Sequence, residues 1–342
     1  MEATGRPLRW GVVSTGRMAG RVTEDIARLE DAVLQAVSSR TGANALDFRS
    51  RFGFAASYFD TGRSPAYAQL FGGPPVDVVY VATPHGQHYE IARRALEAGK
   101  HVLCEKALAL NARAAGELVD LARARSLFLM EAVWSRFLPS VNRAWQIIAS
   151  GELGAVHWVQ ADLGFPAPYD PGSRLWNPAA GGGALLGLAV YPLTWVLGAL
   201  GFPQTVTAVG HVNEDGVDDQ NALTLTYSSG AQAQLTSSLL AWSPRTATVA
   251  GAHGWLRTDP PLHNPPALVI EQHRGPVRTE RFGQIGNGFT YQLREVTRCI
   301  QAGLTASPTM PWDHTLKTMR LFDGVRAQLG VGYASDRVPA AD

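Results

Sequence analysis

The sequence predicts an α/β protein in two parts: an N-terminal doubly wound parallel sheet, and a C-terminal α+β domain with a large open, mostly antiparallel sheet. Three observations predict it. Short apolar runs alternate with helical stretches across the first third of the chain, with short links between them, as in repeated βα units. One of those runs, VDVVYVAT at 76–83, is almost continuously apolar, as a strand covered on both faces would be. After about residue 131, β-branched runs follow one another without helices between them. With 342 residues the chain exceeds what one compact core usually serves. The expected division is 1–131, a Rossmann-type doubly wound domain, and 132–342, the α+β domain.

Each element follows from local signals. Residues 8–14 form the first apolar run and 17–30 the first helix. A second run at 32–38 precedes a helix at 43–52. The strand at 76–83 leads to a helix at 87–98, which Gly99 stops. Then come a strand at 101–105, a helix at 112–125 and a strand at 127–130. In the second part, strands are expected at 155–162, 204–212, 221–227, 231–240, 246–250 and 267–272. Ser228-Ser229-Gly230 is a hairpin turn. Helices return at 289–301 and 312–328. The most apolar stretch, 184–200, contains Tyr191, Pro192, Gly187 and Gly198, and reads as a buried helix rather than a membrane span.

Composition narrows the function classes. Thirty Lys and Arg against 29 Asp and Glu give no field for nucleic acid or an anionic membrane. The two cysteines, Cys104 and Cys299, lack CxxC or Cys/His spacing, so neither a disulfide framework nor a zinc site is expected. Residues 1–7 are polar and 8–14 too short for a signal core, so a soluble cytoplasmic protein with a small-molecule substrate is expected.

The link from the first strand to the first helix reads Ser14-Thr15-Gly16-Arg17-Met18-Ala19. In the G-x-G-x-x-G/A fingerprint, Ser14, Gly16 and Ala19 take the three marked positions. Gly16 lets the backbone approach a pyrophosphate, Ala19 lets helix and strand pack closely, and the helix N-terminus offers free N–H groups. Ser14 departs from Gly, so the motif depends on its strand–turn–helix context. The second strand ends Ser39-Arg40, with no acid to accept a ribose 2′-hydroxyl. The Arg40 guanidinium suits a 2′-phosphate, which favours NADP(H) over NAD(H).

Val81-Ala82-Thr83-Pro84-His85-Gly86-Gln87-His88, followed by His101-Val102-Leu103-Cys104-Glu105-Lys106, resembles the glucose-fructose oxidoreductase / inositol dehydrogenase family. The stretch 127–139 (LFLMEAVWSRFLP), with Gly181-Gly182-Gly183 before Tyr191-Pro192, is closest to the dimeric dihydrodiol dehydrogenase and sugar-reductase branch. The likeness is close over about the first two hundred residues. It implies hydride transfer between a secondary alcohol or ketone and a nicotinamide. It also implies that Thr83, Pro84, His85 and His88 line the cofactor cleft, and that Glu105 contacts the nicotinamide ribose. Lys106 and Tyr191 would face the reacting carbon. A homodimer or homotetramer built on the open sheet is implied as well. Ala107 departs from the family, which usually has Pro after the Lys.

Tyrosine is a poor base at its free pKa of about 10, and a nearby ammonium favours the phenolate. Lys106 is the cation expected to do this for Tyr191. Family members commonly carry Asp four residues before that Tyr, where this chain has Gly187. Positions 187 and 191 share a helix face. Three readings compete: Tyr191 and Lys106 suffice; the pocket is enlarged for a bulkier or less hydroxylated ligand; or turnover is lost and cofactor binding kept. A reductase of an imine or a C=C bond would also dispense with that Asp. Trp134, Arg136, Arg174 and Trp176 are further pocket residues expected from their loop positions. His85 and His88 have no third ligand near them in sequence, so no metal is expected. Asp218 and Asp219 read as solvated turn residues.

Overall fold

The structure, a computed structural model, describes residues 1–273 and 275–336. Two compact units form, Met1–Trp134 with Ile285–Leu316, and Ser135–Gln284 with Lys317–Asp342. The expected boundary at 131 is a division of the sequence; packing returns 285–316 to the first unit.

In the first unit, β1 (Leu8–Val13), β2 (Ala32–Ser39), β3 (Ala56–Phe59), β4 (Val78–Val81), β5 (His101–Glu105) and β6 (Leu129–Ala132) form one sheet. Its order is β3-β2-β1-β4-β5-β6, and every pair is parallel. Strand order reverses between β1 and β4, the place where open α/β sheets bind dinucleotides. All four residues of β4 are fully buried, which explains the continuous apolar run. The helices are α1 (Arg17–Ile26), α2 (Gly42–Phe52), α3 (Ala66–Gly72), α4 (His85–Glu97) and α5 (Ala112–Ala124). The sequence reading contains neither β3 nor α3. No residue of β3 is buried, so its side chains carry no inside–outside alternation.

In the second unit, α6 (Pro139–Ala149) corrects the expectation of strands without helices after 131. A π-helical turn, Leu185–Ala189, runs into α7 (Val190–Leu200). The sheet comprises β7 (Val156–Gly164), β8 (Thr205–Val212), β9 (Asp218–Thr226), β10 (Gln232–Ser238), β11 (Ala247–Gly251), β12 (Gly254–Thr258), β13 (Ala267–Gln272) and β14 (Arg278–Arg281). The order is β14-β13-β12-β11-β7-β10-β9-β8, antiparallel except where β7 meets β10. The β9–β10 hairpin closes through Tyr227 and Ala231, with Gly230 at φ +82°, as the turn signal requires.

One sheet face packs on α7. The other carries Trp158, Gln160, Thr224 and Val209, all exposed. The 178–200 stretch is long and apolar enough to cross a membrane, yet most of it is buried in the fold, as in a core helix. Trp195 Nε1 donates to Leu262 O at 3.0 Å, and a Cβ at Gly198 would collide with the Trp145 ring. Pro192 explains the π turn before α7: it has no N–H for the Leu188 carbonyl, and its ring crowds that carbonyl, so the helix widens there. Two further helices follow, α8 (Thr290–Gln301) and α9 (Trp312–Leu329).

Candidate active site

Ser14 closes β1 in a conformation unusual for a side-chain-bearing residue, φ +117°. Its Oγ accepts the Gly16 N–H at 3.1 Å, a turn held by the serine that replaces the first fingerprint glycine. Gly16 and Arg17 are exposed, Thr15 and Met18 are half-buried, and Ala19 is fully buried, as close helix–strand packing demands. α1 has no side-chain N-cap and no acid in its first turn. Its first N–H groups therefore remain for an anion. Thr15 and Ser39 hydroxyls meet at 3.0 Å, joining the loop to the end of β2. The next residue, Arg40, is exposed, with no carboxylate in ion-pair reach among the described residues. An open helix terminus flanked by an unpaired guanidinium fits a dinucleotide carrying a 2′-phosphate.

Thr83 and Pro84 are half-buried at the end of β4, and His85 opens α4 almost fully buried. Glu105, 7% exposed, accepts from the Tyr80 hydroxyl at 2.7 Å. Lys106 is half-buried, and its peptide bond to Ala107 is cis. Glu131, 3% exposed, accepts the Leu108 N–H at 3.2 Å and the Thr315 hydroxyl at 2.9 Å. The 105–108 loop is thus held from two sides. Tyr80 and Glu131 were not singled out in the sequence, where both sit inside ordinary strand runs.

In the second unit, Tyr191 lies in the first turn of α7, 7% exposed, its ring 5.1 Å from that of His263. Gly187 is buried in the π turn, yet a Cβ built there meets no described heavy atom within 4 Å. The volume an Asp side chain would begin to fill is open.

The last of the three glycines, Gly183, is explained by Asp218, which corrects the reading of Asp218 and Asp219 as solvated. Both are buried, Asp218 fully. Asp218 Oδ2 accepts the Leu185 N–H at 2.7 Å and the Asn221 side-chain amide at 2.9 Å. Its Oδ1 has no hydrogen-bond partner among the described residues. Burial pushes the carboxyl up to about 7, against the two donors. A Cβ at Gly183 (φ +124°) would collide with that Oδ1, and one at Gly182 with the Leu175 carbonyl. The Tyr333 hydroxyl donates to Gly182 O at 3.1 Å. Two adjacent acids after Gly216 look like a turn; only the sheet register turns the first inward.

The remaining predicted pocket residues divide. Trp134 is buried with its ring 4.5 Å from that of Phe289, and Trp176 is buried with Nε1 on Pro168 O at 2.9 Å. Arg136 is half-buried and Arg174 exposed. No group of three metal-ligating side chains occurs among the described residues.

Residues 8–133 match the oxidoreductase family with an NAD-binding Rossmann fold, and 141–257 match the GFO/IDH/MocA C-terminal domain. The chain is 33% identical over 340 residues to trans-1,2-dihydrobenzene-1,2-diol dehydrogenase of Mus musculus, covering 96% of this chain and 99% of the relative. The chain belongs to the GFO/IDH/MocA oxidoreductase family. Membership bears out the resemblance and the two-part α/β fold. This oxidoreductase is also 32% identical to the D-xylose 1-dehydrogenase (NADP(+)) of Hypocrea jecorina, covering 97% of this chain and 95% of the relative. The 3-ketoreductase KijD10 of Actinomadura kijaniata, solved with NADP and TDP-benzene, superposes with a TM-score of 0.83 at 27% identity. That match covers 95% of this chain and 98% of the other.

Because the Asp218 carboxyl binds its proton more tightly folded than unfolded, its contribution to stability is greatest in acid. It declines as pH rises from the ordinary Asp value of about 3.9 toward about 7. Urea unfolding across that range should show this fall, and Asp218→Asn should remove it. An unchanged slope in the variant would mean that Asp218 is ionised throughout.

Proposed function

We propose that this oxidoreductase uses NADP(H) to interconvert a secondary alcohol and a ketone on a sugar, polyol or cyclic trans-diol. The observation that carries the reading is the uncapped, acid-free N-terminus of α1 beside Ser39 and exposed Arg40. The relatives' substrates, a dihydrodiol and a pentose, support the substrate class. In this reading the α1 N–H groups and Gly16 take the pyrophosphate, Arg40 the 2′-phosphate, and Glu105 the nicotinamide ribose. The cofactor supplies or accepts the hydride. Tyr191 gives or takes the hydroxyl proton, and Lys106 polarises the oxygen and favours the phenolate. KijD10 has also been solved as a lysine-to-alanine and as a tyrosine-to-phenylalanine variant, which fits this pair of roles. NAD(H) is the lesser cofactor. Arg136, Arg174, Trp134 and Trp176 belong to the proposed substrate surroundings. The exposed sheet face with Trp158 and Val209 is the proposed subunit interface of a homodimer or homotetramer. Two free, buried thiols fit a reducing, cytoplasmic setting.

Nicotinamide absorbance with NADP+ and a panel of sugars, polyols and cyclic trans-diols should reveal a substrate, and Tyr191→Phe should lower its turnover by about 10²–10⁴-fold. Full activity in the variant would remove Tyr191 from the proton step, and no turnover across the panel would favour reduction of an imine or C=C bond. Arg40→Asp should shift preference from NADPH toward NADH, read as the ratio of kcat/KM values; an unchanged ratio would sink the 2′-phosphate assignment.

Gly187 favours a second reading, in which the open space beside it admits a bulkier or less hydroxylated ligand. Gly187→Asp should fold as the parent does and raise turnover on simple diols and sugars. Unchanged or lower turnover there would argue for the enlarged pocket. Cofactor binding without turnover on any substrate would argue for a catalytically impaired dinucleotide-binding protein.

A further inference from the structure

His88 lies in the first turn of α4 and is fully buried. Its two ring nitrogens each meet a backbone carbonyl oxygen at 2.8 Å, Nδ1 that of Ala107 and Nε2 that of Thr83. A carbonyl oxygen accepts and never donates. Neutral imidazole has one N–H and one lone pair, so it bonds one of these oxygens and points a lone pair at the other. Only the imidazolium, with two N–H groups, makes both bonds.

We propose that His88 is a buried imidazolium that ties the loop before α4 to the loop after β5, and through the Ala107 carbonyl positions Lys106. Its last clause alone rests on the catalytic reading of Lys106. His88 is a positioning residue, since it reaches the chemistry through its neighbour.

The charges around it are mixed. α4 contributes His85, whose ring lies 5.5 Å from that of His88. The strands under α4 bring Tyr80 on β4, and Cys104 and Glu105 on β5. Glu131 on β6 holds the Leu108 N–H, one residue beyond Ala107. Lys106 adds a second cation. The flanking helices bring half-buried Tyr67 from α3 and the more exposed Arg113 and Glu117 from α5. A helix N-terminus disfavours a cation. Two charge-assisted hydrogen bonds to the carbonyl oxygens offset that and the cost of burying the charge.

Long-range proton–nitrogen NMR on histidine-labelled protein without cofactor tests the protonation state directly. At about pH 8, above the ordinary histidine value of about 6.5, one of the nine histidines should retain two N–H groups. His88→Gln should remove that signal. If no histidine keeps both protons, or the signal survives the substitution, the imidazolium is overturned, whatever the enzyme turns over. Should the Gln variant not fold, through-space contacts from the doubly protonated ring to Thr83 and Ala107 in the wild-type spectrum assign it to His88, and their absence overturns the inference.

Positioning is read separately. With the fold intact, His88→Gln should lower kcat at least tenfold and change substrate KM less than threefold. An unchanged kcat would remove the positioning role. An imidazolium signal in a protein that turns over no alcohol would leave His88 as inferred and count against the proposed reaction.

Discussion

Groups that hydrogen-bond to water in the unfolded chain must find partners once they are buried, and in this chain a few acids decide where distant segments go. Asp25, fully buried on α1, accepts the N–H groups of Asn287, Phe289 and Thr290 at 2.8–3.2 Å. That brings the start of α8 to the helix that follows the cofactor loop. Burial raises the Asp25 carboxyl, and those backbone donors oppose the rise. Asp31 does the same for the N-terminal segment. It accepts the Thr4 N–H at 2.9 Å and pairs with Arg294 at 2.8 Å. Burial alone would raise its carboxyl, and the donors outweigh burial and hold it well below the usual range. Glu131 anchors the loop that carries Lys106, and Asp218 anchors the entry to the helix that carries Tyr191.

The same accounting separates structural helix ends from those open to a ligand. α2 is capped by Thr41, α5 by Asn111, and the first turn of α8 by Asp25. α1 and α4, which open onto the glycine loop and the Thr83-Pro84 loop, have no side-chain cap; neither has α6. The first N–H groups of α1 are the positive end of a buried helix and carry no counter-charge from the chain. A dinucleotide phosphate would supply one at α1.

Much of this was legible in the sequence. The βα alternation is a period-switching pattern, and β4 announces its burial by being apolar at every position. The strand–turn–helix context of Gly16 and Ala19 survived the loss of the first glycine, because the Ser14 hydroxyl can hold the turn that glycine usually makes. β3 and β14 were missed because each is four residues long with no buried position. α6 was missed because its buried residues, Ser140, Val141, Ala144 and Ile147, make a short stripe inside an otherwise β-like region. Asp218 was misread because an acid pair after a glycine is a turn signal locally, and nothing local tells which way the first strand residue points.

The sequence by itself determined the two-part α/β architecture, the cofactor loop, the choice of Arg40 over an acid, and the family. Those depend on local periodicity and on short motifs whose residues are adjacent in the chain. Only the tertiary structure decided that Gly183 lies against a buried carboxylate, that Gly187 borders open space in a π turn, and that His88 lies between two carbonyls nineteen and five residues away. Each of those depends on which polar group is left to satisfy another after burial. That pairing joins residues far apart in sequence, and it becomes definite only when the chain has closed around them.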